Sequence, residues 1–227
     1  MRPAPAPLLA ALLLGLPAMA DTVIEEATPQ YEARLEFAPE LADWPALDER
    51  LRADAMAMLD DFKDWAAGNE SPHAYTLNVI DKVAYRDDRY VSLLRVVDFY
   101  TGGAHGNVGL TSVFWDGVRD QTVGLDALIL PEGVEAIAIQ LRADIAEQVH
   151  GGEVPEFWVE SVADATRPDS LTKFTLEADG DGAVRAIDFH FPPYAVAPWS
   201  EGAPTVRIPV ALVAGWLTPE GAALLTP

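Results

Sequence analysis

The order in which two hydrophobic periods alternate along this chain constrains its fold more than any other feature. Tyr31, Ala33, Leu35 and Phe37 alternate with Glu32, Arg34 and Glu36, the period of two of a half-buried strand over 31–38. Trp44-Pro45 then opens a helix whose apolar positions Leu47, Leu51, Ala55, Met58, Leu59, Phe62 and Ala66 follow the 3.6-residue period, with Gly68-Asn69 to stop it. Strands follow at 74–85 and 90–100 around the polar turn Arg86–Arg89, and another at 108–115 before the hairpin signal Asp116-Gly117. A second helix starts at Pro131, shows the stripe Val134, Ile137, Leu141, Ile145 and Val149, and stops at Gly151-Gly152. After a short helical piece around 155–163, strands at 171–178 and 183–191 flank Asp179-Gly-Asp-Gly182. A last strand at 205–209 and a short piece around Trp216 end the pattern. Runs of strands interrupted by single helices, without strict βαβα alternation, predict an α+β fold with a largely antiparallel sheet and two main helices. Two mixed modules are expected, over 21–100 and 101–227, with the sheet continuing from one into the other.

The first twenty residues read as something else. Met1-Arg2 precedes an apolar run from Leu8 to Leu16, and Ala18-Met-Ala20 forms the A-x-A exit that a signal peptidase reads. The run is shorter than the roughly 20 residues a spanning helix needs, and Pro3, Pro5 and Pro7 keep it from extending backwards. Cleavage before Asp21 and a periplasmic or secreted location are the expectation. With no cysteine anywhere, an oxidising compartment supplies no staples, and stability has to come from a packed core.

The net charge is −21, and removing the leader takes away one arginine and no acid, leaving −22. A field of that sign excludes DNA, RNA and anionic membranes as partners. It favours cationic ones, or serves solubility alone.

Chemistry-bearing residues are sparse. Tyr100-Thr-Gly-Gly-Ala-His-Gly-Asn107 places three glycines, His105 and Asn107 on a loop between two apolar strands. Such a loop is either a rigid ligand-contacting element or a glycine-shaped connection whose histidine bonds nearby backbone. It lacks both G-x-G-x-x-G and the P-loop lysine, so it is no phosphate cradle. Asp188 and His190 share a strand face but are too few for a metal site. Asp179–Gly182 lacks the glycine and glutamate positions of a calcium loop, and Ser200 is not in G-x-S-x-G. His73 and His150 read as surface or capping residues. Trp158, Trp199 and Trp216 either lid the core or present aromatic surface to a ligand. No metal and no cofactor is expected.

The glycine loop, followed far downstream by Phe189-His-Phe-Pro-Pro-Tyr-Ala-Val-Ala-Pro-Trp-Ser-Glu-Gly202 and Val206-Arg-Ile-Pro209, resembles the extracellular domain pair of the RsiV-like and PdaC-like proteins. These are lysozyme-sensing anti-sigma factors and peptidoglycan deacetylases that carry the pair as an accessory region. The resemblance runs over nearly all of 22–225. It implies a binding module whose ligand contacts come from Tyr100, Thr101, Gly102, Gly103, His105 and Asn107 on the first segment, and from Tyr194 and Trp199 on the second. Lysozyme, as a basic protein, or a peptidoglycan fragment is the implied partner. The cytoplasmic segment and membrane span of the sensors are missing from this sequence, as is the deacetylase domain, so signalling and deacetylation do not carry over. The alternative from a different class is a small envelope hydrolase using His105 with a nearby carboxylate such as Asp98. It requires that carboxylate within hydrogen-bond reach of the imidazole.

Overall fold

The computed structural model describes residues 22–225; the expected leader lies outside them. The fold is α+β, as the periodicity predicts. Six strands form one sheet in chain order: β1 (Val23–Ala27), β2 (Tyr31–Glu36), β3 (Tyr75–Arg86), β4 (Tyr90–Tyr100), β5 (Asn107–Asp116) and β6 (Gln121–Thr122). Every neighbouring pair is antiparallel except β2 and β3. That parallel pair has a direct cause: helix α1 (Pro45–Ala66) lies between the two strands and returns the chain to the same end of the sheet. A smaller antiparallel sheet, β7 (Phe174–Ala178), β8 (Val184–His190) and β9 (Thr205–Pro209), follows α2 (Pro131–Gln148) and α3 (Glu156–Ala165). Helix α4 (Pro219–Leu225) closes the described chain.

Strand alternation gives the large sheet two unlike faces. On one, Ala33, Leu35, Leu77 and Val79 pack with Ala55, Leu59 and Phe62 of α1, and Val91, Leu93 and Trp115 with Leu47 and Leu51. Met58, counted in the apolar stripe from sequence, is turned outward at 37% exposure. Under α1 sits a buried ion pair. Arg95 donates to both carboxylate oxygens of Asp81 at 2.7 Å and to the Leu51 carbonyl at 2.8 Å.

The other face is covered only in part. β7 lies over the Ser92 and Ser112 end of it, where Leu176 N donates to Ser92 Oγ (3.0 Å) and Phe174 N to Ser112 Oγ (2.9 Å). Tyr85, Tyr90 and Phe114 there join the core that the second sheet shares with α2. Towards the far ends of β2, β3 and β4 this face is open. Two cross-strand rows lie on it, Glu32–Thr76–Tyr100 and Arg34–Asn78–Asp98. The sheet runs without interruption through residue 100, from β4 into β5.

Two short elements lie beyond what the periodicity outlines. β1 is five residues long and pairs only with β2. α4 is fixed to the β4 and β5 ends by Glu220, which accepts from Tyr90 Oη, Arg89 and Arg119. The fully buried Asp116 carboxylate in turn holds Arg89, at 3.2 and 2.6 Å, and the backbone N–H groups of Val118 and Arg119. The hydrogen bonds from Arg89 hold Asp116 below the usual carboxylate range against the pull of burial. Those from Tyr90, then Arg119, do the same for Glu220.

Candidate functional site

The glycine loop joins β4 to β5, and its conformation explains its composition. Gly102 (φ 91°) and Gly103 (φ 105°) both lie where an L side chain is strained. Gly106 does not, but a Cβ there would sit 3.3 Å from the Phe99 carbonyl oxygen. Tyr100 Oη donates to the Gly103 carbonyl at 3.1 Å and so closes the loop against the end of β4.

His105 is placed by both of its ring nitrogens. Nδ1–H donates to the Gly106 carbonyl at 2.7 Å, which leaves Nε2 to accept from Tyr194 Oη at 3.1 Å. The Trp199 ring stacks on the imidazole, with centroids 4.5 Å apart and planes 21° from parallel. Residues 89 positions apart in the chain therefore form one cluster. Trp199 remains 38% and Tyr194 54% exposed, so flat aromatic surface faces solvent. Tyr194 achieves this at φ 69°, with its N–H donating to the Ala197 carbonyl at 3.0 Å. A bulky side chain in that region costs roughly 1–2 kcal/mol. His150, at the end of α2, fixes the same segment through Nε2 to the Val196 carbonyl at 2.9 Å. That tie is a positioning role the sequence does not disclose.

Of the eight residues expected to contact ligand, the structure brings His105, Tyr194 and Trp199 together, with Tyr100, Gly102 and Gly103 shaping the loop beside them. Thr101 is half-buried on the same loop. Asn107 is in register with Phe99, whose side chain packs on the α1 side of the sheet, so it projects from the opposite face to Tyr100. The hydrolase alternative required a carboxylate on His105. Both ring nitrogens are engaged by other groups, and Asp98 makes no hydrogen bond to the imidazole.

Asp188 and His190 do share a face of β8, but each is satisfied by its neighbours. Asp188 takes both arms of Arg207 at 2.8 Å. His190 lies between Thr175 Oγ1 (2.8 Å) and Thr205 Oγ1 (3.0 Å). Burial holds its pKa below the ordinary histidine value, with the Asp188 charge opposing. Among the described residues no group of three or more His, Asp or Glu is arranged to hold a metal ion. Asp179–Gly182 is a hairpin turn, in which Asp179 accepts from the N–H groups of Asp181 and Ala183 and from Arg185.

A crystal structure of a DUF3298 family protein from Pseudomonas aeruginosa PAO1 superposes with a TM-score of 0.62 at 17% identity, covering 87% of this chain and 93% of that one. The fold resembles that of DUF3298 proteins. A second member, from Bacteroides fragilis NCTC 9343, gives 0.58 at 15% identity, with 87% and 92% covered. No protein-family model and no curated protein matches the chain. At these identities the DUF3298 likeness, to a domain of unknown function, is one of fold. No described helix is long and apolar enough to cross a membrane.

Proposed function

We propose that this is an exported binding protein that captures a cell-wall glycan on the aromatic platform of His105, Tyr194 and Trp199. The observation that carries the reading is the stack of Trp199 on His105, held from behind by the Gly106 carbonyl and by a tyrosine in a strained conformation. Rigid aromatic faces presented to solvent suit the apolar faces of sugar rings and lose little side-chain freedom on binding. Backbone strain concentrates where function requires it. The likeness of the two segments to the RsiV-like and PdaC-like ectodomains supports the same location for the site.

Titration with solubilised peptidoglycan fragments tests this. Trp199→Ala, at an exposed position, is expected to weaken binding about tenfold or more while leaving the fold intact. Retained affinity in that variant would overturn the assignment. A second reading, a basic lysozyme-like protein as the partner, is favoured by the net charge of −21. It predicts binding that weakens steeply as salt is added. Export itself predicts a mature N-terminus at Asp21, and N-terminal sequencing that finds Met1 retained would refute it.

A further inference from the structure

The open half of the large sheet lies beside the platform and is hollowed. The depression, about 440 Å³, is lined by Glu25, Glu32, Arg34, Thr76 and Asn78. It belongs to the face that carries Asp98 and Tyr100 in the two cross-strand rows. We infer that this hollow extends the aromatic site and takes an oligosaccharide carrying free amino groups. The inference rests on the glycan reading above and narrows its ligand class.

Three observations support it. The row Glu32–Thr76–Tyr100 leads from the hollow straight to the glycine loop, since Tyr100 Oη is bonded to Gly103. One ligand can therefore reach both regions, and the volume is that of a small-molecule cleft. Secondly, the side chains of Thr76, Asn78 and Asp98 make no hydrogen bond with other described residues. Thr76 and Asn78 present a hydroxyl and an amide two positions apart on β3, and Asp98 presents a carboxylate opposite Asn78 on the neighbouring strand, roughly 4.8 Å away. That is a ready set of donors and acceptors on a rigid bed.

The third observation is the charge. Arg34 is already paired with both Glu25 and Glu36, so it offers no free cation to an acidic sugar. Glu32 and Asp98 stay uncompensated and exposed. An ammonium group on the sugar is attracted there, and a carboxylate or phosphate is repelled.

The test is calorimetric titration of the full chain with tetraglucosamine and with its fully N-acetylated counterpart. Wild type, Asn78→Ala, Asp98→Asn and Trp199→Ala are compared, each checked for an unchanged melting temperature. Wild type is expected to prefer the free-amine form by about tenfold or more, the range of one charge-assisted hydrogen bond. Asp98→Asn should abolish that preference, and Asn78→Ala should weaken both sugars. Equal affinity for the two forms, or silence of both sheet variants while Trp199→Ala still weakens binding, overturns the hollow and leaves the platform standing. Failure of both sugars to bind wild type removes the hollow and the platform together. An octalysine peptide that binds more tightly than either sugar, and loses that affinity in Asp98→Asn, overturns the ligand class in favour of a basic polypeptide.

Discussion

Gly103 at φ 105° and Tyr194 at φ 69° both occupy the left-handed half of backbone space, at different cost. Around Gly103 there is open space for a Cβ. Gly103→Ala therefore meets no clash and is penalised through the backbone alone, by about 1 kcal/mol or more in denaturant unfolding. Tyr194→Gly runs the other way. It relieves the strained backbone but loosens the unfolded chain, so stability should stay within about 1 kcal/mol of wild type, while ligand affinity falls with the loss of the ring. Equal losses of stability and binding at Tyr194 would show that its ring serves packing rather than recognition. The sequence signals the glycines but not the tyrosine. A cluster of glycines reports a special backbone on its face, whereas a strained tyrosine looks like any other until the segment around it is folded.

At the scale of elements, the strands and helices with sustained periods were legible to within one to three residues; β4 and β9 fall where alternation and turn signals place them, whereas β7 starts three residues after the expected Leu171 and β2 stops two before Ala38. Elements whose stability comes from tertiary contacts were not. β1 has too few residues to establish a period, and the seven residues of α4 are held by Glu220 rather than by their own propensity. The same limit hid the partners of polar residues: Arg95 reads as a polar break in an apolar strand until Asp81 is found opposite it across the sheet. Asp81→Ala leaves the Arg95 guanidinium buried and unpaired, and should cost about 3–5 kcal/mol in chemical denaturation. Gly221 offers a second check. A Cβ there would sit 1.9 Å from the Leu128 carbonyl oxygen, so Gly221→Ala has to push α4 off its seat. A loss of about 2 kcal/mol is expected, and an unchanged melting temperature would mean that α4 contributes nothing to the cooperative unit.

For the whole molecule, two sets of groups determine the response to acid. His190 is buried with a pKa below the ordinary 6.5, so the unfolded chain takes up its proton first. The native state has the full benefit above about pH 6.5 and loses it as the pH falls towards the lowered value. The carboxylates of Asp116 and Glu220 are also held low. Their contribution is intact above their unfolded pKa values and is lost below about pH 4.5. Acid unfolding should thus show two regions of slope. His190→Gln, which keeps a hydrogen-bonding group between the two threonines, should flatten the upper one and spare the lower. A single slope in wild type would contradict the assignment. Salt acts on the remainder: with a net charge of −21, self-repulsion is screened and the melting temperature should rise with ionic strength. The meeting of His105 with Tyr194 and Trp199 also belongs to this scale, because no local pattern reports contacts between segments 89 positions apart.

The clasp on Glu220 gives the chain end a use as a gauge. A helix of seven residues has almost no stability by itself in water, so any protection of its amides from solvent deuterium is borrowed from the body of the protein. If the clasp holds until the strands themselves separate, those amides will exchange as slowly as the centre of the large sheet. Rapid exchange would locate the first opening of the molecule at its C-terminal end, ahead of global unfolding.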